Sequence, residues 1–318
     1  MLLLFESVVF FGILLISVAV MSKALNVEIV NHKYQALDGL RGICAGLVAI
    51  FHIFWRAGGA DDTFWSISYL GGHEIKRAVL MMGEVSVGIF FMLSGFLFFK
   101  KALNNTFDVK KFFISRALRI YPPVFISLII IFVISAIINH GKITTSPYWF
   151  YQALPFINEY KGSVVNGLPI NITNSGVFWT LVWEVRLYIA IPLLFLLMKI
   201  IPFKKSFITL LIISVIALSK FYFIDKSHAA FITYFLVGFL VATTEDKKIK
   251  YANVIAFIVL MAALFLTRQA YSPTTALYLL PFFYLVKNQA NLFGILTSYP
   301  IKVIGISSFS IYLLHGIM

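Results

Sequence analysis

Residues 37–55 read LDGLRGICAGLVAIFHIFW, an apolar run broken only by a few polar positions, chiefly Arg41 and His52. A run of this length is close to the roughly 20 residues an α-helix needs to cross a hydrocarbon core of about 30 Å. Arg41 and His52 lie eleven residues apart. At about 100° per residue they fall within roughly 20° of one another on the helix surface, about 16 Å apart along its axis. One end of such a helix carries a cation near a membrane surface, and an imidazole sits towards the other end. Ionisable groups inside a bilayer are expensive and point by default to a functional pathway. The helix therefore reads as spanning a reaction site reached from both sides.

The remainder of the 318-residue chain follows the same logic. Hydrophobic residues make up 60% of it and charged residues only 12%, about half the charged share of a soluble domain. Apolar stretches at 2–21, 38–55, 84–99, 122–138, 178–198, 207–222, 229–243, 252–267, 274–287 and 303–318 predict an all-α, polytopic membrane bundle of about ten transmembrane helices. Residues 1–36 read as an N-terminal transmembrane helix and a short loop, without the basic start of a signal peptide. Residues 37–318 read as one membrane domain. The segment 147–157 is too short to span and reads as interfacial or re-entrant. The long loop 139–177 reads as a lid or binding segment.

The net charge of +13 is explained by topology rather than by nucleic acid. Sixteen Lys and Arg residues fall in the segments 22–37, 100–120, 199–206, 244–251 and 287–302, against eight in the alternate segments. The first set is therefore expected on the cytoplasmic side. That places Arg41 at the cytoplasmic end of its helix and His52 and His315 towards the outside. Cys44, the only cysteine, reads as a small packing residue. His32, His73, His140 and His228 fall in expected loops, and no metal-ligand spacing appears.

Five motifs occur in order: LDGLRG with Phe51-His52, FFMLSGFLF at 90–98, SRALRIYPPVF around Arg116 and Arg119, WTLVWEVRLY at 179–188, and SFSIYLLHGIM at 308–318. Together they resemble the acyltransferase-3 family of bacterial membrane acyltransferases, over residues 35–318. The resemblance implies an inner-membrane, multi-pass O-acyltransferase that moves an acetyl or short acyl group from cytosolic acyl-CoA to a cell-envelope glycan or glycolipid, with no metal. The sequence departs from the family pattern at Thr180, where Ser is usual. It departs again at Val185-Arg186, so that only Glu184 carries over, and at Gly88, where Asp is common. The chain ends three residues after His315, where family members continue for another turn or more, so the last helix is either short or truncated.

Acyl transfer to a hydroxyl needs a base, a group that stabilises the oxyanion, and a seat for the donor's phosphates. His52 is the expected base, with an ordinary pKa near 6.5 suited to proton transfer. It either activates the acceptor hydroxyl or carries the acetyl group in transit. Glu184 is expected to support it, as a triad carboxylate does; the plainer reading is an ion pair between helices. Arg116 and Arg119, three apart on one helical face, are expected to hold the phosphates of acetyl-CoA through guanidinium forks; the plainer reading is topology alone. Arg41 joins them or pairs with Asp38. Ser94 is expected beside the donor's arm or in close helix packing. Tyr188, Tyr312 and His315 are expected to line the acceptor cavity. Two rival classes remain: a transporter of a small metabolite or acyl carrier that uses the buried Arg, Glu and His as a relay, and a scaffold in a polysaccharide assembly. The repeated halves common in transporters do not appear in the sequence.

Overall fold

The structure is a computed structural model that describes residues 33–56, 72–104, 107–144, 164–169, 173–200 and 226–317, with a few isolated positions outside these ranges. The expected spans 2–21 and 207–222 and the expected interfacial segment 147–157 lie outside the described residues. Eight α-helices are described: α1 Gln35–Arg56, α2 His73–Leu103, α3 Val109–Ile138, α4 Trp179–Ile200, α5 Lys226–Thr243, α6 Ala252–Leu266, α7 Pro273–Lys287 and α8 Tyr299–Leu314. A 3-10 turn, Ile295–Thr297, precedes α8. A two-residue hairpin pairs β1 Val164–Val165 with β2 Leu168–Pro169.

Four helices are long and apolar enough to cross a membrane: Gln35–Trp55, His73–Leu103, Val109–Ile138 and Trp179–Ile200. At 1.5 Å per residue, the 15 residues of α6 reach only about 22 Å. The expectation of ten spans therefore stands at four among the described residues, with shorter apolar helices beside them. The outward faces are apolar. Leu118, Ile126, Ile129 and Ile137 of α3 and Phe257, Ile258 and Phe265 of α6 are exposed. Such faces suit lipid rather than water.

Two boundaries differ from expectation for physical reasons. The helix expected at 84–99 starts at His73, because its first turns carry Glu74, Lys76 and Arg77 and so escape a hydropathy reading. The helix expected at 122–138 starts at Val109, where the Asp108 side chain accepts from the Lys111 backbone N–H, and it runs on through Pro122 and Pro123. Capping by Asp satisfies an otherwise orphan N–H, and membrane helices tolerate interior proline. His73 consequently lies in a helix rather than in a loop, and so does His228, in the first turn of α5.

The chain divides into two compact units, one of residues 1–100 and 202–308, the other of 101–201 and 309–318. In the first, α2 and α5 meet along an aromatic row. Phe91 packs on Phe231 and Phe235 with ring centroids 5.6 and 4.7 Å apart, and Phe99 stacks on Phe239 at 4.5 Å. The spacing 231, 235, 239 is the i, i+4, i+8 stripe of one helix face. The LDGLRG motif meets the 3-10 turn and α8. A Cβ on Gly39 would lie inside the Leu296 carbonyl, and one on Gly305 would collide with the Asp38 carbonyl, so the backbones touch only because both positions lack side chains.

The first unit is also tied by a charge cluster that sequence reading missed. Lys287 closes α7 with its side chain 0% exposed. It pairs with Asp246 at 2.8 Å and donates to the Thr244 and Glu245 carbonyls and the Thr244 hydroxyl. Lys33 and the Tyr34 hydroxyl reach the same Asp246. Burial alone would raise the Asp246 carboxyl, but hydrogen bonds and charge from Lys287 and Lys33 hold it down at about 2. Lys287 falls among the basic residues from which the topology is expected; its charge is buried and paired.

In the second unit, Phe107 packs on Phe112 and on Phe195 of α4, and Phe112 packs edge-on against Tyr188. The fully buried Asn166 at the hairpin turn accepts from the Thr144 backbone N–H, donates to the Lys142 carbonyl, and through its own carbonyl accepts from Asn139. Its polar groups are thereby satisfied, and the hairpin is fastened to the segment following α3.

Candidate active site

Helix α1 is continuous over 22 residues, so Arg41 and His52 keep the shared face and the separation that the sequence dictates. The His52 Nδ1 lies 2.9 Å from the Val48 carbonyl oxygen. A carbonyl only accepts, so Nδ1 carries the proton and the ring's lone pair resides on Nε2. His52 is half-buried, and Phe51 meets its ring at 4.8 Å. Arg41 Nη1 donates to the Asp38 carboxylate at 3.3 Å. Ser94 is half-buried on α2 between Phe91 and Phe96 of the aromatic core. The first unit thus holds Arg41, His52 and Ser94.

The second unit gathers the other sequence-derived candidates. On α3, the Arg116 guanidinium lies 6.0 Å from the centroid of the buried Tyr188 ring of α4, and Arg119 lies 5.2 Å from that of Phe309 in α8. Both distances fall in the range of cation–π attraction. Glu184 lies one turn before Tyr188 on α4. Arg186 points elsewhere, as its spacing from Glu184 requires, and stacks over Trp183 at 4.6 Å. Tyr188 therefore stands beside Arg116 and about 12 Å along α4 from Thr180, rather than grouped with Tyr312.

Tyr312 is buried, and its hydroxyl is 3.0 Å from the Thr180 hydroxyl; both reach the Val177 carbonyl, at 3.4 and 3.0 Å. Thr180 supplies the hydroxyl that Ser would. His315 is half-buried just past α8, with Nδ1 2.9 Å from the Tyr312 carbonyl and 3.2 Å from that of Ile311. Its lone pair resides on Nε2 for the reason given for His52. The departure at Gly88 also has a local cause: a Cβ there would lie 2.4 Å from the Tyr234 ring, which is fully buried and donates its hydroxyl to the Ala270 carbonyl at 2.7 Å.

The structure thus provides two imidazoles whose Nδ1 faces a backbone carbonyl, one in each unit, and in the second unit an Arg116–Tyr188 contact and a separate Thr180–Tyr312 pair. Among the described residues, no group of three or more His, Cys, Asp or Glu side chains is gathered as a metal ion would need. The Thr180–Tyr312 bond, the Arg116–Tyr188 contact and the Asp246–Lys287 pair join residues remote in sequence. No motif announces them.

A sequence model described as an acyltransferase domain, that of the acyltransferase-3 family, matches residues 34–318. The chain is similar to nodulation protein 10 of Rhizobium leguminosarum bv. viciae, 27% identical over 126 residues, covering 36% of this chain and 34% of that protein. It is also similar to a protein assigned by name as acetyltransferase ORF330, of Acidianus two-tailed virus, 28% identical over 155 residues, covering 49% of this chain and 39% of that protein. The chain therefore spans between a third and two fifths of the length of these relatives. No solved structure matches it significantly.

Proposed function

This chain belongs to the acyltransferase-3 family of membrane acyltransferases, and from that premise we propose that it transfers an acetyl or short acyl group from acyl-CoA to a hydroxyl of a cell-envelope glycan or glycolipid in a bacterial inner membrane. The observation that carries the reading is the placement of His52 Nδ1 2.9 Å from the Val48 carbonyl oxygen. With Nδ1–H bonded to the Val48 carbonyl, Nε2 is the ring atom that accepts a proton, on a helix whose same face carries Arg41. In the proposed reaction Nε2 takes the proton of the acceptor hydroxyl as its oxygen attacks the thioester carbonyl. The tetrahedral oxyanion collapses with cleavage of the carbon–sulfur bond, and the imidazolium returns its proton to the departing thiolate. Arg116 and Arg119, with Tyr188 beside them, take the donor's phosphates, and Arg41 serves the same end of its own helix. Glu184 serves the reaction from the second unit, one turn before Tyr188 on α4. Tyr312 and His315 face the acceptor. The name of the viral relative, an acetyltransferase, favours acetyl as the transferred group.

The test is acetyl transfer from labelled acetyl-CoA by purified protein in lipid vesicles. Loss of general-base catalysis is worth about 10²–10⁴ in rate, so His52→Ala should fall at least a hundredfold while the protein still inserts. A His52→Ala variant that acetylates normally refutes the proposal. Acid-labile label retained on His52 before acceptor is added would identify an acetyl-imidazole rather than direct transfer.

A further inference from the structure

Two loops meet at one end of the first unit. Residues 244–251 lead into α6, and residues 288–298 follow α7. The Lys247 backbone N–H donates to the Asn288 side-chain oxygen at 2.8 Å, and the Asn291 backbone N–H donates to that of Asn253 at 2.8 Å. The buried Lys287 holds Asp246 and the Glu245 carbonyl from below. The loops form one rim with a fixed backbone, so the side chains on it start from set positions.

The rim carries cations to spare. Lys247, Lys248 and Lys250 are exposed. Asp246 is already engaged by Lys33 and Lys287, and among the described residues the three lysines form no ion pair. Glu245 is the one further carboxylate in the first loop, the first turn of α6 has no acidic residue, and residues 288–301 carry no charge of either sign. The same rim presents large apolar side chains. Tyr251, Phe293 and Ile295 are 67, 65 and 53% exposed, and Lys250 lies over the Tyr251 ring at 4.9 Å. Tyr251 and Phe293 both keep a left-handed backbone with φ 58°, a conformation that a residue with a β-carbon seldom holds without a return in function.

We propose that this rim docks on anionic phospholipids of the surrounding bilayer, with the three lysines at their phosphates and Tyr251, Phe293 and Ile295 at the boundary between headgroups and acyl chains. The helix that leaves the rim fixes the level. Val254, Phe257, Ile258 and Met261 of α6 are exposed, a face suited to lipid. At 15 residues, about 22 Å, α6 is shorter than a hydrocarbon core of about 30 Å. A helix that short draws its flanking residues into the interface. There an aromatic ring lies among the headgroups while lysine stems reach out to the phosphates. A soluble polyanion would use the cations and leave the three apolar side chains in water; lipid covers both. Each lysine close to an anionic surface is worth about fivefold in affinity, and three together about a hundredfold.

The experiment uses the full chain with Phe293 replaced by photoreactive benzoylphenylalanine, in vesicles of equal parts phosphatidylglycerol and phosphatidylcholine, with the lipid adducts weighed by mass spectrometry. Phosphatidylglycerol adducts should exceed phosphatidylcholine adducts at least about fivefold. The same probe in place of Ile129, on the lipid-facing side of α3, should give a ratio near one. Lys247→Gln, Lys248→Gln and Lys250→Gln together should bring the ratio at 293 below about twofold. If the Phe293 variant fails to fold, the probe in place of Tyr251 reads the same ratio. A probe at the rim that captures no lipid overturns the proposal, as does a ratio near one there. Enrichment that survives the triple variant overturns it too. So does enrichment abolished by added coenzyme A, which would assign the lysines to a soluble polyanion.

Discussion

Asp246→Asn tests whether one buried charge pair holds the first unit together. The substitution keeps the shape and one acceptor oxygen but leaves the Lys287 ammonium, 0% exposed, without its counter-charge. Breaking a buried pair by removing one partner costs about 3–5 kcal/mol. Lys287 retains the Thr244 and Glu245 oxygens, and Asp246 is itself 28% exposed, so the expected cost is nearer 2–3 kcal/mol. For a chain of 318 residues, at about 2.1 cal/mol/K of unfolding entropy per residue, that is a fall in Tm of roughly 3–5 °C, read by thermal unfolding in detergent at pH 7. Lys287→Met removes the buried charge, so the double variant should recover most of the loss. Lys33→Ala, which touches the same carboxylate from the surface, should leave Tm unchanged. The pH dependence has a definite sign. The folded carboxyl, at about 2, lies below its ordinary 3.8, so its contribution is complete above about 3.8 and disappears as pH falls through 2. The gap between wild type and Asp246→Asn should be constant from pH 5 to 8 and close below pH 4. A variant melting within 2 °C of wild type at pH 7, or a double variant worse than the sum of the singles, refutes the reasoning.

Two further substitutions probe the departures from the family pattern. Gly88→Ala drives a Cβ into the Tyr234 ring and should cost about 1–3 kcal/mol by overpacking; in a Tyr234→Leu background the same change should cost measurably less, which a thermal-unfolding cycle checks. Thr180→Val removes the hydroxyl that bonds Tyr312 and should cost about 1–2 kcal/mol, whereas Thr180→Ser keeps the bond and should stay within about 0.5 kcal/mol of wild type.

Much of the helical framework was legible because apolar length is a strong signal. The expected spans at 229–243, 252–267 and 274–287 differ from α5, α6 and α7 by at most three residues at either end. Where legibility failed, charge was the reason. Glu74, Lys76 and Arg77 look like loop residues to any reading based on hydropathy, yet they form the first turn of α2, and Arg77 binds the otherwise orphan carbonyls that end α6. Lys287 looks like a topology marker because nothing in its neighbourhood in the chain reveals Asp246, which approaches it only after α6 and α7 have folded back.

The candidate site was legible to the extent that its geometry depends on a single helix. Arg41 and His52 share α1, so their relative placement follows from 1.5 Å and 100° per residue whatever packs around them. The orientation of the His52 ring depends on one fact more, the Val48 carbonyl four residues back, and that too is fixed within the helix. The residues of the second unit offer no such economy, since Arg116 meets Tyr188, and Thr180 meets Tyr312, only through tertiary packing. This difference accounts for where the sequence tolerates change. Ser gives way to Thr at 180 because a hydroxyl on either residue reaches Tyr312. Asp gives way to Gly at 88 because Tyr234 occupies the space. Under the proposed reaction the role at His52 is proton transfer itself, so exchange there should be the least tolerated of all the candidates, with even His52→Gln, which keeps a hydrogen-bonding side chain but accepts no proton at neutral pH, failing to restore transfer.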